Sequence, residues 1–263
     1  MDLNERELTA DLLDRSGGAD QPFGCYLVTS DDPTAELGRT IEREVFLEFF
    51  GNSPELMANE YERYEPASVF LLVVDHRRLM PAGVERFMMP STTGLKTLHD
   101  IERVWQEPLD MVLARSGLAF DPARVWDVST IAVRPEYRGA ATNGLISASC
   151  LQAVIQIGHA WEVQYFVTVL DMVVMQLVQD LCHRPLSHFR GIEPMRYLDS
   201  PASVPLYIDM ADYCRRLHVE SADDYAMWIE GKGFEAAMAM PDWSTTRALM
   251  RSRSEALDAP PSS

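Results

Sequence analysis

A chain of 263 residues with 47% apolar side chains has enough material for one large domain or two small ones, which excludes disorder as its main state. The formal charge of −17 and the pI near 4.7 leave no broad basic face of the kind that neutralises a phosphate backbone, so general nucleic-acid binding is disfavoured. No apolar run reaches the roughly 18 residues of a membrane span, and the start MDLNERELTADLLDRS lacks the basic and apolar regions of a signal peptide, so a soluble cytoplasmic protein is expected.

Residues 1–20 are polar and end in Ser16-Gly17-Gly18, which reads as a frayed helix and a flexible link. Phe23 to Thr29 is expected as a strand. After the turn at Asp31-Asp32-Pro33, Leu37, Ile41, Val45 and Phe49 recur at helical spacing, which predicts an amphipathic helix over Thr34 to Phe50 that Gly51-Asn52 stops. Ser53-Pro54 starts a short helix, Ser68 to Val74 suits a central strand, and Ala82 to Met89 follows as a third strand. Helices are expected over Thr93 to Trp105 and Leu109 to Ala114. Val125 to Val133 then reads as a strand, RPEYRGAATNG as a loop, and Leu145 to Ile157 as a helix. Trp161 to Leu170 is β-rich, Asp171 caps a helix reaching about Leu181, and Val204 to Met210 is a further strand. The tail offers helices over Ala222 to Gly231 and Ser244 to Arg253, and the end DAPPSS has a disordered composition.

Strands alternating with helices predict an α/β fold with a mixed central sheet covered by helices. The expected division is an extension over 1–20, one domain over 21–220, and a helical C-terminal extension over 221–263. The acidic excess is concentrated early, since residues 1–75 hold seventeen Asp or Glu against five Arg. Cys25, Cys150, Cys182 and Cys214 are far apart in apolar segments, so they read as free thiols rather than as a disulfide or metal framework. The histidines show no metal-ligand spacing, and no metal is expected.

The loop from Arg134 to Gly144 joins a strand to a helix and contains two Arg, two Gly and Asn143 as a candidate N-cap. Such a loop can turn backbone N–H groups and the positive helix end toward a phosphate, with Arg138 adding charge-assisted hydrogen bonds. Taken alone, the loop is more simply an ordinary tight turn, because Gly and Asn are turn residues wherever they occur.

VSTIAVRPEYRGAATNGLISASCL resembles the acyl-donor motif of the GNAT superfamily of N-acyltransferases, with Arg138 at the motif's first position. Ala141 stands where the motif has its first Gly and Asn143 where it has its second small residue. Other segments are similar to the acyl-homoserine-lactone synthase branch and its long-chain N-acyl amino acid synthase relatives. These are Arg43-Glu44-Val45-Phe46, the acidic pair Glu62 and Glu65 around Tyr64, Arg86 with Pro90, Asp127-Val128-Ser129, and the spacing over His188 to Met210. Thr130 occupies a place where that branch commonly has Arg.

The resemblance implies a GNAT-like mixed sheet flanked by helices on both faces, and attack of an amine on a thioester carbonyl. Ile131, Val133, Arg134, Arg138, Gly139, Ala141, Asn143 and Gly144 are then expected to hold an acyl-CoA or acyl-phosphopantetheine donor, a backbone N–H near Ile131 polarising the thioester. Asp127 or Glu85 would accept the amine proton, with Ser129 beside them. Glu62, Glu65 and Thr130 would line the acceptor site, and Arg86 would pair with an acceptor carboxylate.

Met80, Met88, Met89, Met172 and Met175 could flank a long acyl tail, although core filling explains them as well. Arg184, Arg190 and Arg196 form a local basic spot for an acyl carrier protein. The leading expectation is an N-acyltransferase carrying a medium or long acyl chain to the amine of a small metabolite such as an amino acid. A small-acyl enzyme using acetyl-CoA and a noncatalytic binding protein of the same fold are the alternatives.

Overall fold

The computed structural model describes residues 3–17, 20–247 and 250. Helix α1, Leu3–Arg15, precedes strand β1, Phe23–Thr29, and helix α2, Ala35–Phe50. In α2 the predicted stripe of Leu37, Ile41 and Val45 is buried, and the helix ends where Gly51 takes a φ of +73° and donates its N–H to the Leu47 carbonyl. Helix α3, Pro54–Tyr61, starts as the sequence indicates, with Pro54 in the first turn and the Ser53 hydroxyl accepting from the Leu56 N–H at 3.2 Å.

Strands β2, Ser68–Asp75, and β3, Met80–Met88, follow, then helices α4, Lys96–Arg103, and α5, Leu109–Ser116. Strand β4, Val125–Val133, leads through the loop into helix α6, Leu145–Ala160. Strand β5, Tyr165–Asp171, runs into helix α7, Met172–Leu181, whose first turn is capped by Asp171 accepting from the Val173 N–H. Short strands β6, Ser187–His188, and β7, Met195–Tyr197, precede β8, Ser200–Asp209, helices α8, Met210–Glu220, and α9, Ala222–Trp228, and β9, Met238–Ala239.

The strands form one mixed sheet in the order β6-β8-β5-β4-β3-β2-β1-β9, with β7 also on β8. Strand alternation divides the core between the two faces. Val69, Leu71 and Val73 of β2 join the cluster under α6, whereas Phe70, Leu72 and Val74 join the cluster under α1 and α2. On β3 the same rule sends Val84 and Arg86 to the α2 face, and Glu85 and Phe87 to the α6 face.

Two irregularities shape the middle of the sheet. Arg86 pairs with Thr130 but Phe87 pairs with Val128, so Ser129 is an extra residue in β4, a β-bulge. β4 and β5 run parallel but pair only over Val125 to Asp127 and Tyr165 to Val167, and beyond these residues they part.

Several expectations change. Residues 1–20 were expected as a frayed extension, but Leu3–Arg15 is a regular helix, because Thr9 and Leu12 are buried and Glu5 pairs with Arg134. The C-terminal segment is more than helical, since β9 pairs in parallel with β1. Helix α8, unforeseen, is capped by Asp209 and buries Met210, Tyr213 and Leu217 on one side. Of the helix expected over Ser244 to Arg253, residues 248, 249 and 251–253 lie outside the described residues, as does DAPPSS. Cys25, Cys150 and Cys182 are buried free thiols and Cys214 is half-buried. Among the described residues no helix is long and apolar enough to cross a membrane.

Candidate active site

Where β4 and β5 part, a cleft of about 380 Å³ opens between Val128 to Val133 on one side and Thr168 to Asp171 on the other. Phe46, Phe49 and Phe50 of α2 and Val174, Leu177 and Val178 of α7 give it apolar walls. Phe49 and Leu177 are each 58% exposed, so they form an open rim. The Arg134 N–H bonds the Ala82 carbonyl on β3, so alternation turns the backbone groups of Ile131 and Val133 toward the cleft. In agreement, the Val133 carbonyl accepts from Arg138 Nε at 2.6 Å rather than from a strand.

The sequence-predicted donor loop is only partly arranged as expected. Arg138 lines the cleft, stacks on Phe49 at 4.5 Å and pairs with Glu48 at 3.1 Å, and its Nη2 has no partner among the described residues. Gly139, at φ +51°, is also on the wall. Arg134 is a correction: its guanidinium is buried against Glu5 and Glu44, where it ties α1 and α2 to the loop and does not line this cleft. Asn143 is not the cap, since Gly144 at φ +74° occupies that position without a side-chain bond. The N–H groups of Ala141, Gly144 and Leu145 bond the carbonyls of Arg138, Gly139 and Thr142, so they close turns inside the loop instead of facing outward.

Asp127 is fully buried beside this cleft. Its Oδ2 accepts from the Thr97 N–H at 2.6 Å, and its Oδ1 from Thr97 Oγ1 at 3.1 Å and from Ser129 Oγ at 2.7 Å. It therefore caps the start of α4 and orients Ser129, which the bulge places on the cleft wall. Burial pushes the Asp127 carboxyl up to about 6, against the pull of these three donors.

Glu85 does not join it. Strand alternation sends Glu85 under α6, where it is 0% exposed, lines neither cleft, and has neither carboxylate oxygen hydrogen-bonded among the described residues. Burial holds its carboxyl well above the ordinary carboxylate range, and its position under α6 keeps it away from both clefts.

A second, polar cleft of about 870 Å³ lies on the α2 face and is lined by Arg39, Glu42, Arg43, Tyr61, Glu62, Glu65 and Arg86 among others. Arg86 is buried, and its role is corrected. Its Nε and Nη2 bond Glu42 at 3.0 and 2.6 Å, Nη1 bonds Glu65 at 2.6 Å, and its plane lies over the Tyr61 and Phe70 rings, so the chain's own carboxylates take its fork. Burial penalises the Glu65 charge, but Arg86 and Arg39 outweigh that and hold its carboxyl below the ordinary range. Glu62 lies on the cleft wall with no side-chain partner among the described residues. Thr130 bonds Glu42 instead of facing an acceptor, which ties the two clefts together.

Sequence reading missed three residues. Glu42 lies next to Ile41 on the buried side of α2. Tyr61 borders both clefts, its hydroxyl 3.4 Å from the Ser129 carbonyl oxygen. Lys96, on the apolar cleft, is held by Asp100 at 2.6 Å, Glu60 at 2.9 Å and the Tyr197 hydroxyl at 2.5 Å. One signal was present for Lys96, since the chain has two lysines and this one opens an apolar-periodic helix. The five methionines considered for an acyl tail line neither cleft, and Met88, Met89 and Met175 belong to the core. Arg184, Arg190 and Arg196 are exposed, with Arg196 paired to Asp199. No group of three or more side chains that could hold a metal ion occurs among the described residues.

No protein-family model matches the chain, and no curated protein matches it in sequence. Solved structures do match in fold. The CoA-dependent acyl-homoserine lactone synthase BjaI, solved with SAM and isopentyl-CoA, superposes with a TM-score of 0.51 at 12% identity, over 87% of this chain and 99% of that one. FeeM, an N-acyl amino acid synthase from uncultured soil microbes, gives 0.54 at 11% identity, over 74% and 94%. The chain shares the fold of these two structures. Within that fold it resembles the structures of the acyl-homoserine-lactone synthase and N-acyl amino acid synthase branch.

Proposed function

We propose that the protein is an N-acyltransferase that moves a medium or long acyl chain from a CoA or carrier-protein thioester to the amine of a small metabolite of amino-acid size. The observation that carries this reading is the meeting of two clefts at Tyr61, one apolar and running along the unpaired edge of β4, the other polar and charged. An extended donor arm can add to that edge through the backbone of Ile131 and Val133, as a further strand would. The aromatic and aliphatic walls suit a tail longer than acetyl.

In this reading the amine attacks the thioester carbonyl at the bulge. Ser129 Oγ takes the amine proton while passing its own to Asp127 Oδ1, and a base with a pKa near 6 is well matched to that task. The C–N bond forms, the Ile131 N–H stabilises the oxyanion, the C–S bond breaks, and the thiolate regains the proton from Asp127 through the Ser129 hydroxyl. The donor arrives as acyl-CoA, with Arg138 Nη2 toward its phosphates, or on a carrier protein docked near Arg184, Arg190 and Arg196. In this reading the enzyme is cytoplasmic and draws on the acyl-thioester pool.

The test is thiol release with acyl-CoAs from acetyl to palmitoyl, and with the matching carrier proteins, against pooled amines. Turnover that rises with chain length supports the reading. Turnover with acetyl-CoA alone moves the protein to the small-acyl class, and saturable donor binding without thiol release marks a noncatalytic member.

A further inference from the structure

Every guanidinium on the polar cleft faces a carboxylate of the chain itself. Arg86 is shared by Glu42 and Glu65, Arg39 bonds Glu65 at 2.6 and 2.8 Å, and Arg43 pairs with Glu36. The Arg86–Glu42 pair is also nearly sealed from water, with side chains 4% and 3% exposed. To bind one of these arginines, an incoming carboxylate must first displace an internal one. Displacing Glu42 from Arg86 leaves its carboxylate buried without its partner, which is strongly disfavoured. The cleft walls carry four carboxylates against the three guanidiniums, and Glu62 has no side-chain partner among the described residues. A carboxylate-bearing ligand is disfavoured here and a second cation is favoured.

We infer that the acceptor is an amine whose non-reacting end is cationic or uncharged, such as a short diamine, and that an amino acid with a free carboxylate is excluded. This rests on the polar cleft being the acceptor site, and it narrows that reading to a substrate class. The reacting amine points past Tyr61 toward Ser129, while the remote ammonium sits near Glu62.

Three probes of matched length separate the possibilities: 1,4-diaminobutane, 1-butylamine and 4-aminobutanoate. Calorimetric titration of the full chain, without donor, is expected to rank them in that order. Replacing the exposed Glu62 in E62Q is expected to shrink the preference for the diamine over the monoamine roughly threefold, the size of a solvent-exposed charge pair. Equal or tighter binding of 4-aminobutanoate, no binding of any probe, or an unchanged preference in E62Q would overturn the inference. Thiol release with the same probes and a productive acyl-CoA separates it from the parent reading. Release driven best by 4-aminobutanoate sinks the inference and keeps the acyltransferase, whereas Glu62-dependent diamine binding with no release from any donor does the reverse.

Discussion

Ser129 Oγ donates to Asp127 Oδ1 at 2.7 Å across a β-bulge, so a cleft-facing hydroxyl is wired to a carboxylate that itself never meets solvent. The bulge makes this possible. In a regular strand, residues two apart share a face and both side chains would be buried or exposed together; the extra residue lets Asp127 cap α4 while Ser129 reaches the wall.

The pair predicts a pH profile. In the proposed mechanism the base works only when Asp127 is ionised, so kcat/KM should rise with pH through about 6 and then level off. Asp127→Asn should abolish turnover at every pH while donor binding persists, and Ser129→Ala should cost roughly 10²-fold in kcat. A wild-type profile flat from pH 5 to 8 would contradict the assignment.

Glu85 predicts a different signature. Its folded-state pKa lies well above that of the unfolded chain, so the native state holds a proton that the unfolded state releases once the pH exceeds the ordinary Glu range. Stability must therefore fall as pH rises, by about 1.4 kcal/mol per unit, until the folded pKa is reached. Glu85→Gln should flatten that slope in urea titrations above the ordinary Glu range and leave turnover near wild type, because the side chain meets neither cleft. A parallel slope in the variant would show that Glu85 is not the group responsible.

The Arg86–Glu42 pair predicts strong coupling. Either single alanine variant strands a buried charge and should cost roughly 3 kcal/mol or more in unfolding free energy, while the double variant should lose far less than the sum. Additive losses in chemical denaturation would show that the two side chains do not stabilise one another.

In the proposed reading Arg138 and Val174 meet opposite ends of the donor. Arg138→Ala should raise KM for acyl-CoA but not for an acyl-pantetheine lacking the nucleotide phosphates. Val174→Phe, which narrows the apolar wall, should lower kcat/KM for palmitoyl-CoA and spare acetyl-CoA. An equal loss for both thioesters in either variant would place that residue outside the role given to it.

Local chemistry made much of the fold legible. The α2 stripe, the Ser53-Pro54 start, the Asp171 cap and the run from Val125 to Val133 all match the observed elements. What was not legible depends on pairing across distance. Glu85 and Arg86 are adjacent and equally plausible on paper, yet the strand's period of two sends one under α6 and the other to α2. Arg86 and Thr130 looked open to a substrate because nothing local announces that Glu42, 44 residues before Arg86, claims both. The polar sequence of α1 suggests fraying, because only the fold reveals the surface against which Leu12 is buried.

The central claim is transfer of a long acyl chain from a thioester in the β4–β5 cleft, and the most direct measurement is thiol release across an acyl-CoA series for the wild type and Asp127→Asn in parallel. Turnover is expected to grow with chain length in the wild type and to vanish in the variant, with the product amide found by mass spectrometry. Turnover confined to acetyl-CoA, or surviving intact in Asp127→Asn, would contradict it.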